Sequence, residues 1–133
     1  MAKERFFTLE EANRLLPWLS NLLKEVASIQ KQLDISGETL SELDKKSKRN
    51  GGSSTDPDRT RIEEEIRSLG ERATHLLNQV QARGIIVRDP HRGLIDFPAV
   101  REGQEVYLCW LLGEPRIAFW HAMDTGFAGR QPL

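Results

Sequence analysis

Apolar residues recur at alternating spacings of three and four before Gly84, and this period disappears after it. Such heptad spacing predicts amphipathic helices that pack along their apolar stripes, as in a coiled coil. The first stripe comprises Leu9, Ala12, Leu16, Leu19, Leu23, Val26 and Leu33, and the second comprises Ile62, Ile66, Leu69, Ala73, Leu76 and Val80. The chain is thereby restricted to folds that contain two long, packed helices.

Local signals predict where these helices begin and end. Thr8 and Glu11 form a capping box at the start of the first helix. Asp56 is a suitable N-cap for the second helix, and Pro57 suits its first turn. Gly84 is a strong stop, because glycine readily adopts the left-handed conformation that ends many helices.

Two positions predict interruptions of the first helix. Pro17 removes a backbone hydrogen bond and should kink it, and Gly37 should end or fray it, although the residues up to Arg49 remain helical in character. Glycine and serine then predict a flexible tip at about residues 50–56. The result is a long antiparallel helical hairpin over residues 1–84.

The region from residue 85 to residue 133 shows the alternation of β-strands. Gly103 and Pro115 mark two tight turns, one at residues 102–103 and the other at 114–115. Strands are predicted at residues 85–87, 94–100, 105–112 and 116–121. The sequence therefore predicts an α+β fold, with the helical hairpin followed by a small antiparallel β-meander of three to four strands. We expect the two parts to fold as one cooperative unit.

The third predicted strand is apolar on both faces. Val106, Leu108 and Trp110 alternate with Tyr107 and Cys109. A strand of this kind is central and covered on both sides. Because the helical hairpin can cover only one face, the other requires the C-terminal tail, a second copy or a protein partner. The pattern thus favours a homo-oligomer, such as a dimer, or an interaction module.

Composition limits the partners and the compartment. Lys and Arg number 19 and Asp and Glu number 20, a formal net charge of −1, which makes nucleic acid an unlikely partner. The single cysteine is compatible with a reducing cytoplasm, and no apolar run is long enough to cross a membrane. A cytoplasmic location is expected.

Polar residues interrupt the apolar pattern of the sheet region. Asp96, Glu114, His121 and Asp124 offer the ligands of a divalent-metal site, and a histidine beside a carboxylate also suits acid–base chemistry. Arg130, in a glycine-flanked segment, is a candidate for binding an anion. Each residue also has a structural interpretation.

In that interpretation, Asp96 pairs with Arg92, Arg116 or Arg130, and the remaining acids and His121 lie in turns or at a strand end. Cys109 is interpreted as a small buried apolar residue.

Whether Asp96 and His121 meet depends on register. With two-residue turns on both sides of the third strand, Asp96 lies opposite Cys109, which lies opposite Trp120. His121 is then on the other face from Asp96. A slip of one residue at either turn, or a β-bulge, reverses this relation, so both arrangements stay open.

Several segments resemble a bacterial family catalogued as domain of unknown function 2203. The similar segments are residues 7–13 with 15–17, 93–98, 106–110, 113–114, 120–121 and 126–130, so that all but a variable tip near residues 37–58 is covered. The resemblance implies no particular activity. It does imply that Asp96, Glu114, His121 and Arg130 stand on motif positions.

Two hypotheses for function follow. The first is a non-enzymatic interaction or oligomerisation module, supported by the two heptad stripes and the apolar faces of the sheet. The alternative is a metal- or anion-binding protein, possibly hydrolytic, that uses the polar residues of the sheet region. Whether the chain is an enzyme stays open.

Overall fold

The computed structural model describes residues 5–49 and 57–133, and it consists of two helices followed by an antiparallel sheet. The predicted tip at residues 50–56, with the Asp56 cap, lies outside the described residues. The elements are α1 (Leu9–Arg49), α2 (Pro57–Ala82), β1 (Ile86–Asp89), β2 (Leu94–Arg101), β3 (Gln104–Leu111), β4 (Phe119–Ala122), a 3-10 turn (Phe127–Gly129) and β5 (Gln131–Pro132).

The start of α1 follows the predicted capping box. The Glu11 amide donates to the Thr8 hydroxyl at 3.1 Å, and the Thr8 amide donates to the Glu11 carboxylate at 3.4 Å. The prediction that Gly37 ends the helix is wrong, because α1 is continuous through Gly37 to Arg49 and also contains Pro17. A single glycine costs about 1 kcal/mol in a helix, which packing elsewhere along α1 offsets.

The helices pack against each other and against the sheet. Arg72 of α2 pairs with Glu25 of α1 at 3.1 Å, and Arg59 pairs with Asp44 nearer the tip. The buried stripe of α1 differs from the predicted one, because it also includes Leu22 and Ile29, whereas the predicted member Leu9 is exposed. One apolar core contains residues of both helices and of the sheet. In the described part of the chain, neither helix combines the length and apolarity needed to cross a membrane.

The sheet is a meander in which consecutive strands are neighbours, in the order β1-β2-β3-β4-β5. It has five strands, one or two more than the sequence predicts. The additional strand, β5, spans only Gln131–Pro132 and pairs with Phe119 and Trp120 of β4. Two residues are too few to show an alternating pattern, so the sequence carries no signal for this strand.

The two connections around β3 differ. Glu102 and Gly103 have positive φ values of 52° and 79° and form the predicted two-residue hairpin. The connection to β4 is longer than predicted and occupies residues 112–118. In it, the Ile117 amide donates to the Asn13 side chain of α1 at 2.9 Å. As a result, Cys109 lies opposite Phe119 in place of the predicted Trp120.

The sheet has two faces, which we call inner and outer. The inner face consists of apolar side chains that share the core with the helices, namely Ile95, Phe97, Ala99, Val106, Leu108 and Trp110. The outer face carries the alternate residues of the same strands, including Asp96 and Cys109. The C-terminal segment beyond β4 borders this outer face.

Candidate metal centre

Three polar side chains are buried together on the outer face. Asp96, Cys109 and His121 have exposed fractions of 2%, 0% and 2%. Each offers one ligand atom, and these atoms all lie within 4.8 Å of one another. Ligand atoms of a tetrahedral zinc ion are separated by about 3.3–3.7 Å, given bond lengths of 2.0–2.3 Å. Closing the set around an ion therefore requires movement of at most about 1 Å.

Strand pairing brings these residues together. Asp96 of β2 lies directly opposite Cys109 of β3, as the sequence predicts. His121 of β4 pairs with Tyr107, two residues from Cys109, and is therefore on the same face. The arrangement with His121 on the opposite face is excluded. The longer connection between β3 and β4 shifts the register by one residue and produces the convergence.

The contacts of His121 define where its protons lie. Its Nδ1 is 2.8 Å from the Ala122 carbonyl oxygen, which can only accept a hydrogen bond. Nδ1 therefore carries a proton. Its Nε2 is 3.0 Å from both carboxylate oxygens of Asp96, and a hydrogen bond there requires one further proton between the two groups. A metal ion bound to Nε2 would replace this second proton.

Arg88 holds the other side of the Asp96 carboxylate. Its Nε donates to Oδ2 of Asp96 at 2.8 Å, and its guanidinium carbon lies 4.9 Å from the ring centre of Tyr107. The register of β1 shifts between Val87 and Asp89, so a β-bulge occurs at Arg88. Bulges redirect side chains and are frequent beside functional sites. Asp96 thus pairs with an arginine, but not with any of the three that the sequence analysis considered.

Cys109 is a protonated thiol at neutral pH. Burial, and then the negative charge of Asp96, raise the pKa of the thiol to about 11, while Arg130 acts in the opposite direction. A thiol with this pKa is not an activated nucleophile. It can still ligate a metal, because a bound cation displaces the thiol proton.

A cavity of about 370 Å³ adjoins the three side chains. Its floor contains Asp96, Cys109 and His121, and Arg88 and Asp124 line its walls. The remaining lining residues are Leu94, Met123, Thr125, Gly126 and Phe127. The predicted ligand Asp124 is therefore near the cluster, but it is exposed and is not among the three residues whose ligand atoms are close together.

Glu114 and Arg130 form a separate pair. Their side chains are 2.6 Å apart, and Glu114 also accepts a hydrogen bond of 2.6 Å from the Leu111 amide. The guanidinium of Arg130 lies over the rings of Phe119 and Phe127, and it also donates to the Cys109 carbonyl at 3.2 Å. The predicted ligand Glu114 and the predicted anion site Arg130 are thus engaged with each other.

Sequence reasoning missed Cys109 and Arg88 as members of the cluster. A signal for Cys109 was present, because the hairpin at residues 102–103 already placed it opposite Asp96. Its sequence neighbours, however, include no histidine or second cysteine, so they alone do not indicate a ligand. Arg88 carried no comparable signal, because it lies just beyond the strand predicted at residues 85–87.

One protein-family model, described as Uncharacterized conserved protein (DUF2203), matches residues 5–133. The chain belongs to this family. The DUF2203 match includes both helices, every strand and the whole cluster, which agrees with the resemblance noted from the sequence. No curated protein and no solved structure matches the chain.

Proposed function

We propose that this DUF2203 protein binds one divalent transition-metal ion, of which zinc is the best match, through Asp96, Cys109 and His121. The observation that carries the proposal is the convergence of three buried ligand atoms of different kinds beside a cavity. A mixed set of sulfur, nitrogen and oxygen ligands suits zinc better than magnesium or calcium. Three protein ligands would leave a fourth position open, as in catalytic zinc sites.

The groups behind the ligands support this proposal. A histidine that binds a metal usually donates its other ring N–H to a carbonyl or carboxylate, as Nδ1 of His121 does to Ala122. A ligating carboxylate is usually held by a hydrogen bond, as Asp96 is by Arg88. These contacts orient Nε2 of His121 and Oδ1 of Asp96 toward each other, on the side of Cys109.

The proposal is tested with protein purified without a histidine tag, stripped by a chelator and titrated with Co²⁺. We expect one ion per chain and a near-ultraviolet sulfur-to-cobalt absorption band, which reports thiolate ligation directly. Zn²⁺ should displace Co²⁺ and abolish the band. Saturation without this band, or no binding, would overturn the three-ligand site.

Variants then identify the ligands. Cys109→Ser and His121→Gln should each weaken Co²⁺ binding by about 100-fold or more, an effect at least as large as those measured for supporting residues around metal sites. His91→Gln is the matched control, because His91 is exposed in the turn between β1 and β2. An equal loss of affinity in the control would show that the titration measures nonspecific binding.

A second candidate function is self-association, favoured by an apolar groove near the end of β2. The groove, of about 430 Å³, is lined by four of the exposed large apolar side chains of the described residues: Phe6, Leu9, Val100 and Leu133. A dimer about a twofold axis would place these apolar side chains of each copy against the groove of the other and remove them from water. A second copy is therefore the proposed occupant.

Light scattering tests this candidate. The wild-type protein should have the mass of a dimer, and Val100→Glu should convert it to a monomer, since the introduced charge would be buried in the contact. Ile35→Glu, at an exposed position of α1 outside the groove, should leave the mass unchanged. A wild-type protein with the mass of a monomer would rule out self-association as a function.

A further inference from the structure

Arg88 has donors that its contact with Asp96 does not use. That hydrogen bond engages Nε, and the guanidinium also has a side-chain hydrogen bond with Tyr107, which leaves part of its five N–H donors for a ligand. The side chain is 43% exposed and lines the cavity above the cluster. A guanidinium presents its terminal nitrogens as a planar fork, which matches the two oxygens of a carboxylate.

The rest of the cavity wall restricts the charge of a ligand. A divalent ion bound by the carboxylate of Asp96, the thiolate of Cys109 and a neutral His121 forms a centre with no net charge. Arg88 then contributes one positive charge to the wall, and Asp124 contributes one negative charge. Arg88 attracts the anionic end of a ligand, whereas Asp124 repels anionic charge that comes near it, so a ligand with a single carboxylate, placed at Arg88, suits this wall.

The apolar part of the wall restricts the body of the ligand. Leu94, Met123 and Phe127 line the same cavity, and two of them, Met123 and Phe127, are exposed large hydrophobic residues. A hydrocarbon group placed against them would remove apolar surface from water. The volume of about 370 Å³ is at the small end of the range for ligand pockets, so the cavity suits a small ligand.

From these features we infer that the cavity binds a small organic monocarboxylate. One carboxylate oxygen takes the open position of the metal, the terminal nitrogens of Arg88 bind the carboxylate, and the hydrocarbon part contacts Leu94, Met123 and Phe127. The inference rests on the proposed function, because it needs the metal at Asp96, Cys109 and His121. It names the ligand class of that site.

Isobutyrate is a suitable probe, added to the Co²⁺-loaded protein in a buffer without carboxylates. We expect a saturable change in the visible absorption of Co²⁺, because the probe replaces a ligand at the open position. Isobutyramide, which has the same shape without the charge, should give no change. Inorganic phosphate should bind more weakly than isobutyrate, and Asp124→Asn should reduce this difference.

Variants test the role of Arg88. Arg88→Gln should weaken isobutyrate binding by about tenfold or more, since it removes a charge-assisted pair of hydrogen bonds. Arg116→Gln is the control, because Arg116 is exposed and lines a different cavity. If Arg88→Gln also weakens Co²⁺ binding, the comparison of isobutyrate with isobutyramide on the wild type decides whether the site recognises the charge of the carboxylate.

The outcomes separate the two proposals. If Co²⁺ does not bind, the proposed function fails and this inference fails with it. If Co²⁺ binds with its sulfur band but isobutyrate leaves the visible spectrum unchanged, only this inference is overturned. Equal responses to isobutyrate and isobutyramide, or tighter binding of phosphate, would also overturn it.

Discussion

The inner and outer faces of the sheet are formed by alternate residues of the same strands, yet their chemistry differs. On β2, Ile95 and Phe97 face the helices, while Asp96 between them faces outward. On β3, Leu108 and Trp110 face inward, and Cys109 faces outward. All six are buried, so exposure to solvent does not explain the difference.

The cost of burial makes this difference informative. Burying an apolar side chain stabilises the fold, whereas burying a carboxylate and an imidazole costs free energy that hydrogen bonds recover only in part. Apolar residues in place of Asp96 and His121 would allow the same sheet to form at a lower cost in free energy. Buried polar groups often mark functional sites, which is why the proposed metal site is on the outer face, while the inner face contributes stability.

The largest expected effect tests the inner face. Phe97→Ala should lower the free energy of unfolding by about 3–5 kcal/mol, because Phe97 is fully buried and packs edge-on against Phe7 at 5.4 Å. Urea denaturation measures this loss. Molecules that remain folded should bind Co²⁺ with unchanged stoichiometry. A loss of unfolding free energy below about 1 kcal/mol would contradict the assignment of stability to the inner face, since the inner face would then contribute no more to stability than the outer face.

A smaller effect is expected on the outer face. In the presence of a chelator, Asp96→Asn should cost about 2–3 kcal/mol, because His121 and Arg88 lose an ionised partner while Arg88 can still be hydrated. Added Zn²⁺ should stabilise the wild type but not the variant, through binding to the native state. Urea denaturation with and without Zn²⁺ measures both effects.

Glu105→Gln is the control for this experiment. Glu105 is an exposed carboxylate at the start of β3, so its substitution should change the free energy of unfolding by less than about 0.5 kcal/mol. If Asp96→Asn is as mild as this control and Zn²⁺ stabilises both variants equally, the outer face has no special role.

The parts of the fold that were predictable from the sequence depend on near neighbours. The capping box at Thr8 and Glu11, the heptad stripes and the hairpin at Glu102 and Gly103 each involve residues a few positions apart. Alternation along β3 likewise separates the two faces without knowledge of the rest of the chain. The stop at Gly37 was wrong because packing along a helix of 41 residues outweighs one glycine.

The candidate site depends on distant residues. His121 joins Asp96 through the register of β3 and β4, and the connection between these strands contacts α1, where the Ile117 amide donates to Asn13, 104 residues away. The arginine that reaches Asp96 lies at the register shift in β1, and it is one of five arginines in the sheet region. Cys109 already lies opposite Asp96 through the local hairpin, but the register of β3 and β4 is needed to bring His121 to the same pair. Local patterns therefore predict the strands but not the convergence.

The smallest effect concerns the titration of Cys109 in metal-free protein. Burial and Asp96 raise the pKa of this thiol from 9.0 to about 11, so between these values the folded state retains a proton that the unfolded state has lost. Stability must then fall as pH rises from about 9 to about 11, and by pH 10 the loss is about 1 kcal/mol. Below pH 8 this contribution is fully present.

Cys109→Ala isolates that contribution, because the other groups that titrate in alkaline solution are shared with the wild type. Urea denaturation at pH 8 and pH 10 should show a wild-type stability that decreases by about 1 kcal/mol more than that of the variant. If the free energy of unfolding decreases equally in the wild type and the variant, the thiol has the same pKa in the folded and the unfolded chain. The outer face would then behave like an exposed polar surface at Cys109. The contrast between a polar buried outer face and an apolar inner face would weaken.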